Sequence, residues 1–213
     1  MQELFRFSKI ASLVVFLMAI IQTVSVFYLR DLSYWENPEI YDMFGTVRLI
    51  IGYLFYGIVL IYFLLIYRNS AKESVLRIPS LIGFISAIAC LILPIILNII
   101  SSYLDGDYYI HEGDYYSWRE LLSQIRIYIG IVSACGLSVA IIWTAKYLKI
   151  LPKIFAWLCA LSVIVLAFLP ILGGLMPQLF FWAGGIINYY NLDLLRYFLF
   201  AVFYFLFSKM ANK

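Results

Sequence analysis

Charged residues are scarce in this chain. Asp, Glu, Lys and Arg make up 13% of its 213 residues, whereas about 25% is usual in a soluble globular domain. Apolar residues make up 65%, against about 45–50% in such a domain. A soluble domain of this length has no interior large enough to shield so many apolar side chains from water. The composition excludes an ordinary soluble enzyme and predicts an all-α, polytopic integral membrane protein, with residues 1–213 forming one helical bundle.

Residues typical of metal and nucleotide chemistry are also scarce. The chain has one histidine, His111, and three cysteines without CxxC spacing, which excludes a multi-histidine metal site or a His-ligated haem. It has no phosphate-binding glycine motif and no GxSxG nucleophile motif. We therefore predict no catalytic residues, no metal and no cofactor, and we favour a non-enzymatic function. We attribute the small net charge of +3 to membrane topology and predict no nucleic-acid partner.

Six stretches are long and apolar enough to cross a bilayer, which takes roughly 20 residues of helix. An open sheet edge or bare loop in lipid would leave backbone groups without hydrogen bonds, so helices are expected. We predict six transmembrane helices at Ile10–Leu29, Val47–Tyr67, Pro79–Ser101, Ile127–Ala145, Pro152–Gly173 and Leu192–Ser208. All three cysteines fall within these spans, which favours small buried apolar residues over disulfides.

The distribution of Lys and Arg predicts the orientation, because cytoplasmic loops carry an excess of them. With the N-terminus inside, ten of the fifteen basic residues fall in inner segments, where the net charge is +8, and the outer ends and loops have −5. The inner ten are Arg6, Lys9, Arg68, Lys72, Arg77, Lys146, Lys149, Lys153, Lys209 and Lys213. This pattern predicts cytoplasmic N- and C-termini and a cell membrane location, either plasma membrane or bacterial inner membrane.

The segment Gly174–Tyr190 is uncharged and largely apolar, yet it does not fit a seventh span. Its stretch from Pro177 is 14 residues long, which is short for a transmembrane helix. A full crossing would also place Lys209 outside. We predict a re-entrant or interfacial segment at 174–190, in the outer leaflet just before the last helix.

Helix starts and kinks have local signals. Asn37, Pro38 and Glu39 have the order of an N-cap, a first-turn proline and a first-turn acid, which predicts that the second helix begins there. Ser117 with Glu120 has the spacing of a capping box that would open the fourth helix. Pro94 in the third helix and Pro170 in the fifth predict kinks.

Small residues recur every fourth position in the fourth helix, at Gly130, Ala134 and Ser138. Such faces permit close approach of helices in lipid. We favour packing within the chain, and the alternative is a contact between copies of the chain. Gln22 and Asn98 are polar residues within predicted spans, so each needs a partner or water in the bundle interior.

A short sequence repeat lies in the predicted outer loop 102–124. The pattern acid-Gly-Asp-Tyr-Tyr occurs twice, beginning at Asp105 and at Glu112. Tyrosines at this position are typical of the aromatic belt at the lipid headgroups, and they also suit a surface for a protein partner. A weak calcium site through Asp105, Asp107, Glu112 and Asp114 is the less favoured alternative, because the spacing matches no EF-hand.

Arginines near the outer ends of the predicted helices form the candidate ligand site. If these ends converge, their guanidinium groups would bind a phosphate or carboxylate bidentately. The alternative is that each arginine reaches the headgroups or pairs with an acid; Asp193 and Arg196, three residues apart on one helix, are such a pair. The predicted site comprises Arg30, Arg48, Arg126, Asp193 and Arg196.

Three functions are compatible with these features. The leading one is a non-catalytic subunit or interaction scaffold of a membrane complex, with other membrane proteins or further copies of the chain as partners besides the bilayer. The first alternative is a carrier or substrate-capture protein for a small anionic or lipid-like ligand at the outer leaflet. The second is a membrane enzyme acting on a lipid head group, with Asp193 or His111 assisted by the arginines.

Overall fold

A computed structural model describes residues 2–30, 38–70, 74–106, 112–175 and 189–212. The side chains of 28–30, 41, 104–106, 112–119, 172–175, 189–191 and 211–212 are not among those described. Within these ranges the fold is all-helical, without strands. The helices are α1 (Gln2–Arg30), α2 (Pro38–Asn69), α3 (Arg77–Gly106), α4 (Glu112–Ala145), α5 (Ile150–Leu175) and α6 (Tyr189–Ser208), followed by a 3-10 turn at Lys209–Asn212.

Each of the six predicted spans lies inside one of these helices. Five of the helices, α1 to α5, are long and apolar enough to cross a membrane. Many of their large apolar side chains are exposed, among them Ile10, Leu13 and Val132, as expected where a surface faces lipid. The chain is therefore an integral membrane protein. The sixth predicted span coincides with α6, which is not one of the five.

Two sequence-based boundaries are wrong. Helix α4 begins at Glu112, so Ser117 lies inside the helix and is not its N-cap. The predicted loop 102–124 is helical on both sides of residues 107–111, which lie outside the described residues. Residues at i and i+3 are also neighbours inside a helix, so the capping-box spacing does not by itself mark a helix start. Helix α2 does begin at Pro38, as predicted.

The predicted re-entrant segment 174–190 lies mostly outside the described residues. Its first two residues, 174–175, end α5, and its last two, 189–190, begin α6. Residues 176–188 are not described.

Sequence neighbours pack against each other, and α6 closes the arrangement by packing against both α5 and α1. Helices α1 and α6 are antiparallel: the Phe5 and Phe207 ring centroids lie 5.4 Å apart, and further along the helices Ser12 Oγ donates to the Ala201 carbonyl at 2.9 Å. We call the end at which α1 ends and α2 begins the distal end, and the opposite end the proximal end.

Aromatic side chains fill the space between α2 and α6. Phe55 is fully buried, and its ring lies edge-to-face against Tyr197 and Phe200, at 5.1 and 4.9 Å between centroids. Two helix turns further along α2, the Tyr62 ring lies edge-to-face against Tyr204, at 5.3 Å between centroids. Such pairs contribute about 0.5–1.5 kcal/mol each beyond the area they bury. They fix α6 against α2 next to the polar residues described below.

Two glycines permit close approach of α3 to its neighbours. A Cβ at position 83 would lie 2.6 Å from the Phe63 ring of α2, and one at position 136 would lie 2.4 Å from Ser86 Oγ of α3. At position 83 the nearest atoms belong to a fully buried aromatic ring, whereas the Ser86 hydroxyl near position 136 can rotate away. Glycine at 83 therefore sets how closely α2 and α3 pack.

Candidate functional site

A buried ion pair lies in the second turn of α6. Arg196 Nη2 is 2.5 Å from Asp193 Oδ1, and the two residues are only 6% and 4% exposed. The contact is the one predicted from their spacing of three residues. Two charges inside an apolar bundle are costly unless they are paired. A buried pair of this kind within a membrane protein therefore marks a candidate functional site.

The Arg196 guanidinium is held by a cage of aromatic residues. It donates hydrogen bonds to the Tyr56 hydroxyl at 3.1 Å and to the Tyr197 hydroxyl at 3.2 Å. Its central carbon also lies 4.8 Å from the centre of the Phe55 ring. A desolvated arginine over an aromatic face gains about 2 kcal/mol. Residues of both α2 and α6 thus orient this cation.

The other predicted arginines come from different helices. Arg48 of α2 lies near the same carboxylate, with its Nε 3.9 Å from Asp193 Oδ2. Arg126 of α4 is exposed and donates to the Asn98 side-chain oxygen of α3. This bond gives Asn98 the partner that its position within a span requires. Helix α1 ends at Arg30, whose side chain is not among those described.

Two adjoining cavities bring these residues together at the distal half of the bundle. Cavity A, of about 320 Å³, lies between α3, α4 and α5, and its lining includes Arg126 and Arg196. Cavity B, of about 710 Å³, lies between α2, α3 and α6, and its lining includes Arg48, Asp193 and Arg196. The residues that line both are Tyr56, Cys90, Pro94 and Arg196.

The two cavities together carry a net positive charge, and the rest of cavity A is largely apolar. Three arginines and one aspartate line the two cavities together, which leaves a net charge of +2. Most of the remaining lining of cavity A is aliphatic, with Leu93, Leu97 and Leu166 among its residues. Ligand sites commonly combine an apolar wall with a few polar groups that fix orientation. Cavity A thus combines two arginines with a largely aliphatic wall.

Both internal prolines of the described helices line cavity A. Pro94 lies inside α3 and Pro170 inside α5. Because proline has no N–H, the carbonyl groups of Cys90 and Leu166, four residues earlier, receive no helical hydrogen bond at these positions. Cys90 and Leu166 also line this cavity.

The predicted small-residue face of α4 is used within the chain. Ala134 is 5% exposed, and Ser138 Oγ donates to the Ala160 carbonyl of α5 at 3.0 Å. Gly130 lines cavity A, and a Cβ at this position would meet no atom within 4 Å. The distal part of this face thus borders cavity A, whereas its proximal part packs against α5.

Other candidate chemistry is absent from the described part of the chain. No group of three or more His, Cys, Asp or Glu residues could hold a metal ion there. All three cysteines are free thiols. The repeat carboxylates lie outside the described side chains, as does His111. Gln22 is 1% exposed, and its Oε1 accepts no hydrogen bond from the described residues.

Sequence reasoning missed most of the cavity walls, although α2 has a usable signal. Gly45, Arg48, Gly52 and Tyr56 recur every three or four residues, so they share one helix face, and all of them line cavity B. Two glycines beside an arginine on one face leave space next to a charge.

Comparison of the chain with protein-family models, with curated proteins and with solved structures gives no match.

Proposed function

We propose that the chain binds a small anionic ligand, with a phosphate or carboxylate group, in the arginine-lined cavities A and B. The function is that of a carrier or substrate-capture protein rather than a catalyst. The observation that carries this proposal is that Arg48, Arg126 and Arg196 line two adjoining cavities, which share four lining residues. The attraction between an arginine and an anion is stronger at such a site than in open water, because the effective dielectric is lower.

Arginine suits this role because its planar guanidinium donates two parallel hydrogen bonds to one phosphate or carboxylate. Arg196 is already oriented by Tyr56, Tyr197 and Asp193, so little conformational freedom is lost on binding. Arg126 is exposed and therefore accessible to an incoming anion. Asp193 keeps part of the charge balanced while the site is empty.

The test is native mass spectrometry of the protein released from its own membrane in mild detergent. We expect the wild-type chain to retain one defined anionic molecule. The Arg126→Gln variant can still donate to Asn98 but lacks the charge, so occupancy should fall about ten- to a hundredfold. This range corresponds to one charge-assisted hydrogen bond of about 1.5–3 kcal/mol.

Arg77→Gln is the matched control. Arg77 lies at the proximal end of α3 and donates to the Tyr67 hydroxyl at 3.1 Å, so the substitution removes an arginine charge from a similar bond far from both cavities. Its ligand occupancy should equal that of the wild type. A wild-type protein without any retained anion, or equal losses in both variants, would contradict the proposal.

The subunit or scaffold function stays a prediction, and the same experiment addresses it. Co-release of a second protein at fixed stoichiometry, or a defined multimer, would support it. The small-residue face gives it little support, since Ala134 and Ser138 pack within the chain. An enzyme acting on a lipid head group would need loss of activity on substitution of Asp193 or His111.

We further propose that α6 is a sixth span, that both termini are cytoplasmic, that the membrane is a cell membrane, and that 174–190 is re-entrant or interfacial. The charge distribution supports this orientation. Eight basic residues in the part of the chain that the structure describes lie at the proximal end: Arg6, Lys9, Arg68, Arg77, Lys146, Lys149, Lys153 and Lys209. Cytoplasmic ends carry such an excess. The distal cavities would then face the outer leaflet.

Single cysteines in a chain without its native cysteines test this orientation. Tyr103 at the distal end and Tyr147 at the proximal end are 78% and 51% exposed, so both positions accept a thiol. In intact cells, a membrane-impermeant maleimide should label Tyr103→Cys and not Tyr147→Cys. Both should react after permeabilisation. The reverse pattern in intact cells would show the opposite orientation.

A further inference from the structure

Asp193 balances the charge of Arg196 in the wall of cavity B. The two side chains are 6% and 7% exposed, and Arg196 Nη2 lies 2.5 Å from Asp193 Oδ1. Coulomb attraction is strong at this distance in a site with little water. A ligand that enters the cavity therefore meets the pair as a nearly neutral unit.

Arg48 supplies the positive charge that remains in cavity B. Its side chain is 24% exposed, and its Nε lies 3.9 Å from Asp193 Oδ2, which is farther than Arg196 lies from the same carboxylate. Among the described residues that line cavity B, the charged ones are Arg48, Arg196 and Asp193. Two positive charges and one negative charge leave a net charge of +1, which would be +2 without the Asp193 carboxylate.

The aromatic residues beside this pair already hold a cation. The central carbon of Arg196 lies 5.5 Å from the centre of the Tyr56 ring and 5.0 Å from that of the Tyr197 ring. A ligand ammonium group on these rings would lie next to the guanidinium, which would repel it. Cavity B therefore disfavours a zwitterion and favours a group with negative charge only.

The charge of a buried site selects the charge of its ligand. Attraction between the site and an anion grows in proportion to the charge of the anion, whereas the Born cost of removing the anion from water grows with the square of that charge. A site with a charge of +1 therefore favours a singly charged anion. Carboxylates and phosphodiesters have one negative charge, whereas a phosphomonoester has about −1.5 to −2 at pH 7.

We propose that cavity B binds a group with a single negative charge, a carboxylate or a phosphodiester, beside Arg48, and that Asp193 disfavours doubly charged phosphomonoesters there. This inference rests on the proposed anion-binding function and narrows its ligand class. Asp193 is then a specificity-determining residue as well as the partner of Arg196. A role in stability alone would weaken or strengthen all anions by the same factor.

The experiment measures binding of four small probes to the full chain in a deuterated maltoside detergent, which has neither phosphate nor carboxylate. Dimethyl phosphate and acetate have one negative charge, methyl phosphate has close to two at pH 8 because its second pKa is about 6, and betaine is a zwitterionic carboxylate. Titration with protein broadens the methyl proton signal of a bound probe. The wild type should bind dimethyl phosphate more tightly than methyl phosphate, and acetate more tightly than betaine.

Variants that change the charge of cavity B should change this selectivity. Because electrostatic free energy is proportional to ligand charge, Asp193→Asn should strengthen binding of dimethyl phosphate about tenfold and of methyl phosphate about a hundredfold. Arg48→Gln changes the charge in the opposite direction at a partly exposed position, so it should weaken the two probes by similar factors and serves if Asp193→Asn does not fold. Asp193→Glu and Arg48→Lys keep the charge, and Arg77→Gln removes a charge far from the cavity, so all three should keep the wild-type ratio of the two affinities.

The mass of the ligand retained from the native membrane distinguishes the two sources of a single charge. A phospholipid mass indicates a phosphodiester head group, and a smaller acid indicates a free carboxylate. A retained phosphomonoester would contradict the inference.

The outcomes also separate this inference from the proposed function. A wild type that prefers methyl phosphate, or that binds betaine as tightly as acetate, would overturn the inference. Equal changes for both phosphates in Asp193→Asn and Arg48→Gln would do the same, as would the absence of binding by any probe. In each case a loss of retained ligand in Arg126→Gln would leave the anion site intact. If no probe binds and Arg126→Gln has no effect, both proposals are wrong.

Discussion

Replacing Asp193 with leucine is expected to lower the free energy of unfolding by about 3–5 kcal/mol, the usual cost of removing one member of a buried ion pair. The substitution would leave the Arg196 guanidinium buried without its carboxylate, which lies 2.5 Å away in the wild type. The Tyr56 and Tyr197 hydroxyls would still accept its hydrogen bonds, but they carry no compensating charge. Arg196→Met should cost somewhat less, because Asp193 would keep Arg48 nearby.

The double variant Asp193→Leu with Arg196→Met provides the decisive comparison. Replacing both members of a buried pair by apolar residues is often neutral or stabilising, so the double variant should unfold at a higher temperature than either single variant. Thermal unfolding in mild detergent measures all three against the wild type. Additive losses would show that the two side chains stabilise the bundle independently and that their ion pair contributes no coupling energy.

Replacing Gly83 with leucine is the second large expected effect. Even an alanine Cβ at this position would lie 2.6 Å from the Phe63 ring, and this ring is fully buried, so it has little room to move. Overpacking of a tight interface costs about 1–3 kcal/mol, and the longer leucine side chain should exceed the alanine value. We expect a clear loss of folded protein on heating, measured by size-exclusion chromatography.

Position 57 on α2 provides the control for this effect. A Cβ there meets no atom within 4 Å, so Gly57→Ala should be neutral or stabilising by up to about 1 kcal/mol, the difference in helix propensity. A second substitution, Phe63→Leu, should restore part of the stability of Gly83→Ala by making space for the new methyl group. Equal stabilities of Gly83→Ala and Gly57→Ala would show that α2 and α3 can move apart at no cost.

The class of the protein and the position of its helices follow from the apolar runs in the sequence. Long apolar runs require helices in lipid because the backbone must satisfy its own hydrogen bonds, and all six predicted spans lie within observed helices. The helix boundaries agreed less well: the capping-box spacing at Ser117 and Glu120 predicted a start five residues after the observed one at Glu112. Residues at i and i+3 lie close together anywhere in a helix, not only at its start. The capping-box spacing therefore did not identify the start of α4.

The spacing of Asp193 and Arg196 was also sufficient to predict their pair, since neighbours three residues apart on a helix meet without help from the rest of the fold. The packing of the helices encloses Arg196 between Tyr56 and Phe55 and places Gly83 against Phe63. It also leaves open space beside Gly52 and Gly130. In a membrane bundle the lipid-facing and interior sides of a helix are both apolar. Hydrophobic periodicity therefore carries little information about which side faces inward, and the cavities depend on how the helices pack.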